Sequence, residues 1–575
     1  FAAMVASYFI NEIAYDISPP PSKNLEASCI NNSKSLKTID SGDTIVANNT
    51  SISQIHNDNF TSNSMQNLVV TNDIKDYNGV ANDTSVYGKY MEKIKANRDY
   101  EKNDQKFDTK ELFVKELKPI EFSLPKKKFK NWSILRNLLY RFFTVYRLIN
   151  ITVLTINVLF FIYYFFFTNT KDKLEFLSSS QITLIILINM SISVFIRNQF
   201  VQNFLFWLVL QIPLSAPLSI RFQFSKVYQL GGLHSGCAMG AYFWLFVLTI
   251  TLTKDYINKQ VSLCTLVLNF LLLSFITTII IFAMPKLREK FHNSFQATHR
   301  FCGWTSLLIL WSFTISFTND LNKMLNIRQS TNRSDPIPLW KSLLSSPEFY
   351  LITSICCSIL TPWLFLRKIK IESKRLSSKA ILLTFPNSRK TFCGSAVAIS
   401  HSPFGEYHAF ATIKTPKKKG YRIIVAKAGD WTTDLIEYPR NEIWIKGVPT
   451  AGMMRVEKLF KRVLYVCTGS GIGPILPHIL RKHPEKSKLL WICSEPEATF
   501  GQELVNEIKS NAGLDAVIHN TRTQGRLNLV KTSISMYQEI NAETILVVSN
   551  PAFTAQLSYG CNARGIRCLG VIFDS

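Results

Sequence analysis

The chain has 575 residues, with 65 Lys or Arg against 40 Asp or Glu and a formal net charge of +25. That balance suits nucleic acid or an anionic membrane surface. Hydropathy decides for the membrane and excludes nucleic acid: Phe is abundant (41), and several apolar runs reach the roughly 20 residues that cross a bilayer. The 11 cysteines are scattered without a CxxC pair, which indicates neither a disulfide framework nor a zinc site. Residue 1 is Phe, so the true start is expected upstream, and no signal peptide is recognisable.

Residues 1–118 are rich in Asn, Ser, Asp and Lys and lack sustained periodicity. They cannot bury enough apolar surface to offset their ordering entropy, so a disordered cytoplasmic tail is predicted, with a short helix at Ala2–Ile13. Residues 119–370 read as a multi-pass α-helical membrane domain. Lys126, Lys127, Lys128, Lys130, Arg136 and Arg141 precede a first span at Phe143–Phe167. Further spans are predicted at Gln181–Val194, Leu230–Thr253, Val261–Met284, His299–Phe317 and Phe349–Leu366. Arg197, Arg221 and Lys226 share one connection, Lys286, Arg288, Lys290 and Arg300 another, and Arg367, Lys368 and Lys370 follow the last span. The positive-inside rule then puts these loops and both termini in the cytoplasm, which requires six crossings. Phe204–Ser219 is apolar but carries Gln211, Pro213 and Pro217, and is expected to be re-entrant or interfacial.

Beyond Lys370 the texture changes to short alternating runs, Ala380–Phe385, Phe392–Ser400, Tyr407–Ile413, Tyr421–Lys427 and Glu442–Lys446. Such spacing predicts a small antiparallel β-barrel over 371–460. From 461 to 575, strand-like runs at Leu489–Cys493, Ala516–Asn520, Thr544–Ser549 and Cys568–Phe573 alternate with helical patterns, the signature of a parallel, doubly wound α/β domain.

The chemistry centres on Val463–Pro474. A short buried strand runs into a turn with Gly469, Gly471 and Gly473, and Pro474 opens a helix predicted over Ile475–Arg481. Glycines let the backbone approach a phosphate, and the helix N-terminus aims unpaired N–H groups at it. Nucleotide binding is the reading. In the barrel, His408 and Phe410 suit a flavin site, in which an aromatic ring covers the flavin and polar groups orient it; as isolated residues they would read as a surface histidine and barrel core.

The order of spans, barrel and nucleotide domain resembles the ferric reductase and NADPH oxidase superfamily. His408–Thr412 is similar to its His-Pro-Phe-Thr flavin motif, with Ala409 for proline and Ala411 for the hydroxyl residue, and with Thr412 as the neighbouring substitute. Gly429-Asp430-Trp431-Thr432 matches its Gly-Asp-Trp-Thr stretch, and Val463–Pro474 is similar to its nicotinamide-nucleotide turn. The closer resemblance is to fungal TmpA-like transmembrane flavoproteins, through Gly231–Gly236, the His292–Arg300 pattern and the ending Ile572–Ser575. It covers about Asn131 to Ser575 and implies a ferredoxin-reductase-like module that binds FAD and NAD(P)H. By the same resemblance Phe573 is the aromatic residue that stacks on the flavin, and Ser549-Asn550-Pro551 stands where Cys-Gly-Pro is usual, with Ser549 beside the nicotinamide. Ser494-Glu495-Pro496 occupies the turn that distinguishes the two nicotinamide cofactors. Glu495 would repel a 2′-phosphate or bind free ribose hydroxyls, while Arg522 and Arg526 would attract one, so NADH and NADPH both stay open.

Within the spans, His234 and His299 are ionisable groups at a similar depth near the cytoplasmic face, and two imidazoles are what a six-coordinate haem iron needs. The superfamily places a second pair about 20 Å further out. Here those positions hold Val247 or Leu248 and Ser312 or Phe313, none of which binds iron. His292, seven residues before His299, is the substitute ligand. The expectation is an NAD(P)H-dependent, ferric-reductase-like flavin oxidoreductase, integral to the plasma membrane, passing electrons through FAD to one b-type haem and an unidentified acceptor. The alternative is a signalling or scaffold flavoprotein that has lost electron transfer.

Overall fold

The computed structural model describes residues 124–126, 144–167, 177–329, 336–386, 391–414, 419–481, 487–512 and 516–571. The predicted tail, Phe573 and residues 330–335 lie outside the described residues. The helical region comes first, its main helices being α1 (Val145–Phe167), α2 (Ser179–Phe195), α3 (Gln199–Val209), α4 (Leu218–Phe224), α5 (Gly231–Ile257), α6 (Leu263–Ala283), α7 (His292–Gln329) and α8 (Pro347–Leu360). By length and composition, five of the helices among the described residues, with α8 counted through Phe365, could cross a membrane, and the count is six if the bent pair α2 and α3 is one broken span.

Helix α5 lies at the centre, packed against α1 and α2. Gly232, Gly236 and Gly240 face α1; a Cβ at Gly232 would stand 2.2 Å from the Tyr146 carbonyl, so only glycine permits this approach. Several polar side chains inside the bundle satisfy one another, while Asn150 Oδ1, Ser191 Oγ, Asn269 Oδ1 and Ser306 Oγ have no partner among the described residues. Asn157 and Asn189 exchange hydrogen bonds at 3.0 and 3.2 Å, and the Trp244 indole N–H donates to Asn157 at 3.0 Å. Asp320 accepts from the Ser262 N–H and hydroxyl and from Thr265, which holds the start of α6 against α7. In an apolar surrounding, such groups would otherwise each cost several kcal/mol.

Two sequence expectations gain detail here. The predicted span His299–Phe317 is the middle of a 38-residue helix, α7, whose ends project on both sides. Phe204–Ser219, expected to be re-entrant or interfacial, divides between α3, an irregular stretch and α4. Helix α3 leaves α2 at a 71° bend and lies on the barrel, and α4 follows after an irregular stretch.

The barrel consists of two antiparallel sheets, ordered β1-β7-β4-β5 and β2-β3-β6. Its strands are β1 (Arg367–Lys370), β2 (Glu372–Arg375), β3 (Ala380–Phe385), β4 (Ser395–Ser400), β5 (His408–Ala411), β6 (Tyr421–Ala426) and β7 (Glu442–Ala451), and helix α9 (Asp430–Glu437) lies between β6 and β7. Ile381, Leu383, Ile399, Ile423 and Ile443 fill the core, with Leu435 and Ile436 of α9 closing it. The barrel begins at Arg367, four residues before the expected boundary, because β1 pairs with β7 from Arg367↔Ile445 onward.

The last domain has one parallel sheet in the order β10-β9-β8-β11-β12. Its strands are β8 (Val463–Thr468), β9 (Lys488–Cys493), β10 (Ala516–Asn520), β11 (Thr544–Val548) and β12 (Cys568–Gly570). Helices α10 (Ile472–Leu480), α11 (Gln502–Ala512), α12 (Leu529–Glu539) and α13 (Pro551–Asn562) connect them. This is the doubly wound order, with the first strand at the centre and the switch point between β8 and β11. Helix α10 starts three residues earlier than predicted, and Pro474 falls inside its first turn, where a missing N–H costs nothing.

Candidate active site

The glycine turn expected to cradle a nucleotide lies at the carboxyl edge of the parallel sheet. Gly469 takes φ +50°, and nothing lies within 4 Å of where its Cβ would be, so the turn is open on that side. The Trp491 indole N–H donates to the Gly469 carbonyl at 2.9 Å and fixes the turn from the neighbouring strand. Gly471 has a different reason: a Cβ there would stand 2.2 Å from the Val548 carbonyl, so it permits contact with β11. Gly473 faces β6, 3.9 Å from Ile424, which brings the head of α10 onto the barrel. Ser549, just past β11, shares a 2.6 Å hydrogen bond with Thr468 at the end of β8, so both hydroxyls sit at the switch point. Asn550 caps α13 by accepting from the Phe553 N–H, and Pro551 takes the first helical position.

Ser494 lies at the end of β9 and its carbonyl accepts from Thr499. Glu495 adopts φ +51° and is held there by its N–H donating to Asn520 at 3.1 Å. Asn520 accepts the Arg522 N–H as well, so one side chain organises both candidate specificity turns. Arg522 and Arg526 are exposed beside them. Sequence reading missed Asn520 and Trp491; an asparagine ending a strand before a short helix was the signal for the first.

The barrel presents a ring cluster. Trp431, on the first turn of α9, is flanked by His401 at 4.4 Å and His408 at 4.5 Å, with Phe410 at 5.8 Å. Nε2 of both imidazoles is buried without a hydrogen-bond partner among the described residues. Burial pushes the His408 imidazole down; Glu406, 3.7 Å away, opposes this and the charge of His292 adds to it. His401 is pushed down by burial and then by Arg440, with Asp434 at 3.2 Å opposing. Gly429 has no atom within 4 Å of a Cβ position, so the peptide at the helix head is approachable. Thr432 closes that turn, accepting from the Ala428 and Gly429 N–H groups at 2.8 and 3.0 Å. Thr412 departs from expectation. It is fully buried, and its hydroxyl is committed inside the barrel to Ser395 at 2.7 Å, so it is not presented to a cofactor. The orphaned imidazole nitrogens and the open glycine turns at 429 and 469 are features that a dinucleotide such as FAD and a nicotinamide nucleotide would satisfy.

In the helical region, His234 and His299 face one another with ring centres 6.3 Å apart and planes at 44°. A metal–nitrogen bond of about 2 Å on each side puts two axial imidazole centres about 6 Å apart. Nδ1 of His234 donates to the Ser193 carbonyl at 2.9 Å, which leaves Nε2 as the nitrogen that could act as an acceptor or ligand. The backbones of α5 and α7 stay apart, and the His299 ring is exposed, so the pair spans a gap between the helices. Further along, Trp244, Leu248 and Phe313 are fully buried in a packed core. His292 is exposed, bonded to Gln296 at 3.0 Å, and close enough to His408 of the barrel for its charge to act there.

The helical region and barrel are joined closely. Arg300, next to His299, donates to the Gly405 carbonyl at 3.0 Å. Lys446 lies 4.0 Å from the Tyr407 ring centre and 4.5 Å from that of Trp363, and burial, then Arg300, pushes its pKa down to about 8. Asn203 of α3 accepts from the Ala451 N–H and donates to the Pro449 carbonyl.

Among solved structures, the chain is similar to flavohemoglobin from Malassezia yamatoensis with bound FAD and heme, at 14% identity and TM-score 0.33 over 68% of this chain and 98% of that one. It is also similar to a ferredoxin NADP+ reductase from Neisseria gonorrhoeae with bound FAD and NADP, at 14% identity and TM-score 0.31 over 36% and 98%. At these scores neither likeness fixes the fold, which is read from the strand order itself. Residues 453–575 match the family described as Adenylate-forming reductase 03009, C-terminal domain. Adenylate-forming reductase 06235 of Coprinopsis cinerea is 36% identical over 457 residues, covering 79% of this chain and 42% of that protein. Adenylate-forming reductase 03009 of the same organism is 34% identical over 443 residues, covering 77% and 41%. The chain is thus homologous to fungal adenylate-forming reductases and spans about two fifths of the length of each.

Proposed function

We propose that the protein is a membrane-embedded flavoprotein oxidoreductase that takes electrons from NADH or NADPH in the cytoplasm and passes them through FAD to a single haem. The observation that carries the reading is the contact of three parts: the head of α10 abuts barrel strand β6, and the loop before the flavin strand β5 is bonded to Arg300, the neighbour of His299. FAD, when bound, would accept a hydride and release its electrons singly. The turn at Gly469 and the head of α10 would bind the nicotinamide nucleotide's phosphates, with Ser549 at the switch point beside its ring. Gly429 would admit the FAD pyrophosphate, and His408 and Phe410 would orient the ring system. His234 and His299 would hold one haem, and the packed core around Trp244 and Phe313 leaves no second pair. A ferric-reductase-like or TmpA-like role belongs to this reading, as does plasma-membrane residence.

The buried hydroxyl of Thr412 favours a second reading, a flavoprotein that keeps its cofactor without turnover. One absorption spectrum of the purified full chain separates them. Flavin and one b-type haem, both bleached or reduced on addition of NADH or NADPH, are expected. A flavin that neither nucleotide reduces supports the second reading, and a folded but colourless protein overturns both.

A further inference from the structure

Cys393, Glu457 and His478 come from three separate segments, yet their ligand atoms all lie within 4.8 Å of one another. Cys393 belongs to the loop between β3 and β4, Glu457 to the turn after β7, and His478 to the last part of α10. Glu457 is 1% exposed and His478 3% exposed, and the carboxylate Oε2 touches His478 Nδ1. The other carboxylate oxygen, Oε1, faces Arg481 at 3.3 Å. Tyr465 adds a second, independent sign. It is 1% exposed, its ring lies 6.1 Å from that of His478, and its hydroxyl has no hydrogen-bond partner among the described residues.

We propose that Cys393, Glu457 and His478 bind a divalent cation of the zinc class. Sulfur, nitrogen and oxygen donors in one set are what zinc takes, and tetrahedral bonds of about 2.0–2.3 Å hold the donors about 3.3–3.8 Å apart, so the ion would part the carboxylate and imidazole that touch in this structure. Three protein ligands leave a fourth position for water, and the neighbouring Tyr465 has an unspent hydroxyl. The thiolate and carboxylate balance the charge of the ion. Arg455, Lys458 and Arg481 stand nearby and oppose a cation; burial raises the Cys393 thiol pKa, and these three charges offset that rise only in part. Arg481 orients the carboxylate in the manner of an outer-shell partner. The ion would clasp the barrel loop to α10, the helix whose N-terminus faces the nucleotide, and so fix the angle between the two domains. No redox change is involved, and the site is independent of the flavin and haem assignments.

The test is metal analysis of the full chain, purified in detergent and dialysed against zinc-free buffer. One zinc per chain is expected, removed by a strong chelator with a fall in unfolding temperature. Cobalt loaded into the stripped wild-type protein should show a thiolate-to-cobalt charge-transfer band, which needs no variant to interpret. Cys393→Ser should lose that band, and Arg481→Gln should weaken metal affinity about 10- to 100-fold. Absence of stoichiometric zinc together with no cobalt–thiolate band in the wild-type protein overturns the proposal. A band that persists in Cys393→Ser overturns it equally, because another cysteine would then be the ligand.

Discussion

Glycines that look alike in sequence do different work. Gly471→Ala would press a Cβ onto the Val548 carbonyl, which stands 2.2 Å from that position, whereas Gly473→Ala has 3.9 Å of room. Overpacking of this kind costs about 1–3 kcal/mol, so thermal unfolding should show Gly471→Ala clearly destabilised and Gly473→Ala near wild type. A Gly471 substitution is therefore a poor probe of nucleotide binding, although the sequence marks it as phosphate-facing. The two imidazoles around Trp431 make a pH prediction. Both have folded pKa values below the ordinary 6.5, so the unfolded chain binds the extra protons. Stability from the neutral rings is complete above pH 6.5 and declines as the pH falls from there towards the folded values. Unfolding temperature measured from pH 7.5 to 5 should drop, and the double substitution His401→Gln/His408→Gln should flatten the slope. An unchanged slope would locate the acid sensitivity elsewhere.

At the scale of elements, the segment between α2 and α5 shows how an awkward sequence finds its place. Its Gln211, Pro213 and Pro217 argue against a crossing, and the structure uses Asn203 of α3 to bond β7 and Arg221 of α4 to bond the nucleotide domain. Arg221 is buried, donates to Glu543 through two nitrogens at 2.9 Å, and donates to the Leu459 carbonyl at 2.6 Å. Burial alone would raise Glu543, but Arg221 and the Lys461 N–H hold its carboxyl below the usual range. Removing one partner of such a pair costs about 3–5 kcal/mol, while replacing both by apolar residues can be neutral. Arg221→Ala should therefore lower the unfolding temperature markedly, and Arg221→Met/Glu543→Leu should restore most of it. Equal loss in the single and double variants would show that Arg221 acts through the backbone carbonyl instead. Strands β1 and β2 were hidden for a related reason. Arg367–Lys370 and Glu372–Arg375 are charge-rich, read as a basic loop, and become strands only by pairing with β7 and β3.

For the whole molecule, orientation and the end point of the electrons are the open commitments of the proposed function. With the basic connections in the cytoplasm, the loop carrying Asn332-Arg333-Ser334 faces the opposite side. A glycosylation scan should modify Asn332 and leave Asn59-Phe60-Thr61 bare; glycan on Asn59 would reverse the topology and the cofactor assignment with it. If His234 and His299 hold one haem, His234→Ala or His299→Ala should remove the single b-type spectrum and His292→Ala should not, since His292 lies close enough to His408 of the barrel for its charge to act there. Most of a hydrocarbon layer of about 30 Å then lies beyond the haem. An impermeant acceptor such as external ferricyanide should receive nothing, and its robust reduction would require an outer ligand absent from the packed core.

Sequence alone determined what depends on local pattern. Runs of about 20 apolar residues made the helices, period-two alternation made β3 and β6, and the strand–glycine–helix succession at Val463–Pro474 made the glycine turn. Both histidines of the proposed haem pair were legible too, because an ionisable group within an apolar run has few bland explanations. The tertiary structure decided what depends on which distant segments meet. It set His401 beside Trp431, spent the Thr412 hydroxyl on Ser395, and gave Asn520 two turns to hold. It also gathered Cys393, Glu457 and His478 across 85 residues of chain, where spacing along the sequence carries no sign of a ligand set. Periodicity encodes which face of an element is buried, but a site made at the junction of three segments is encoded only in how those buried faces pack.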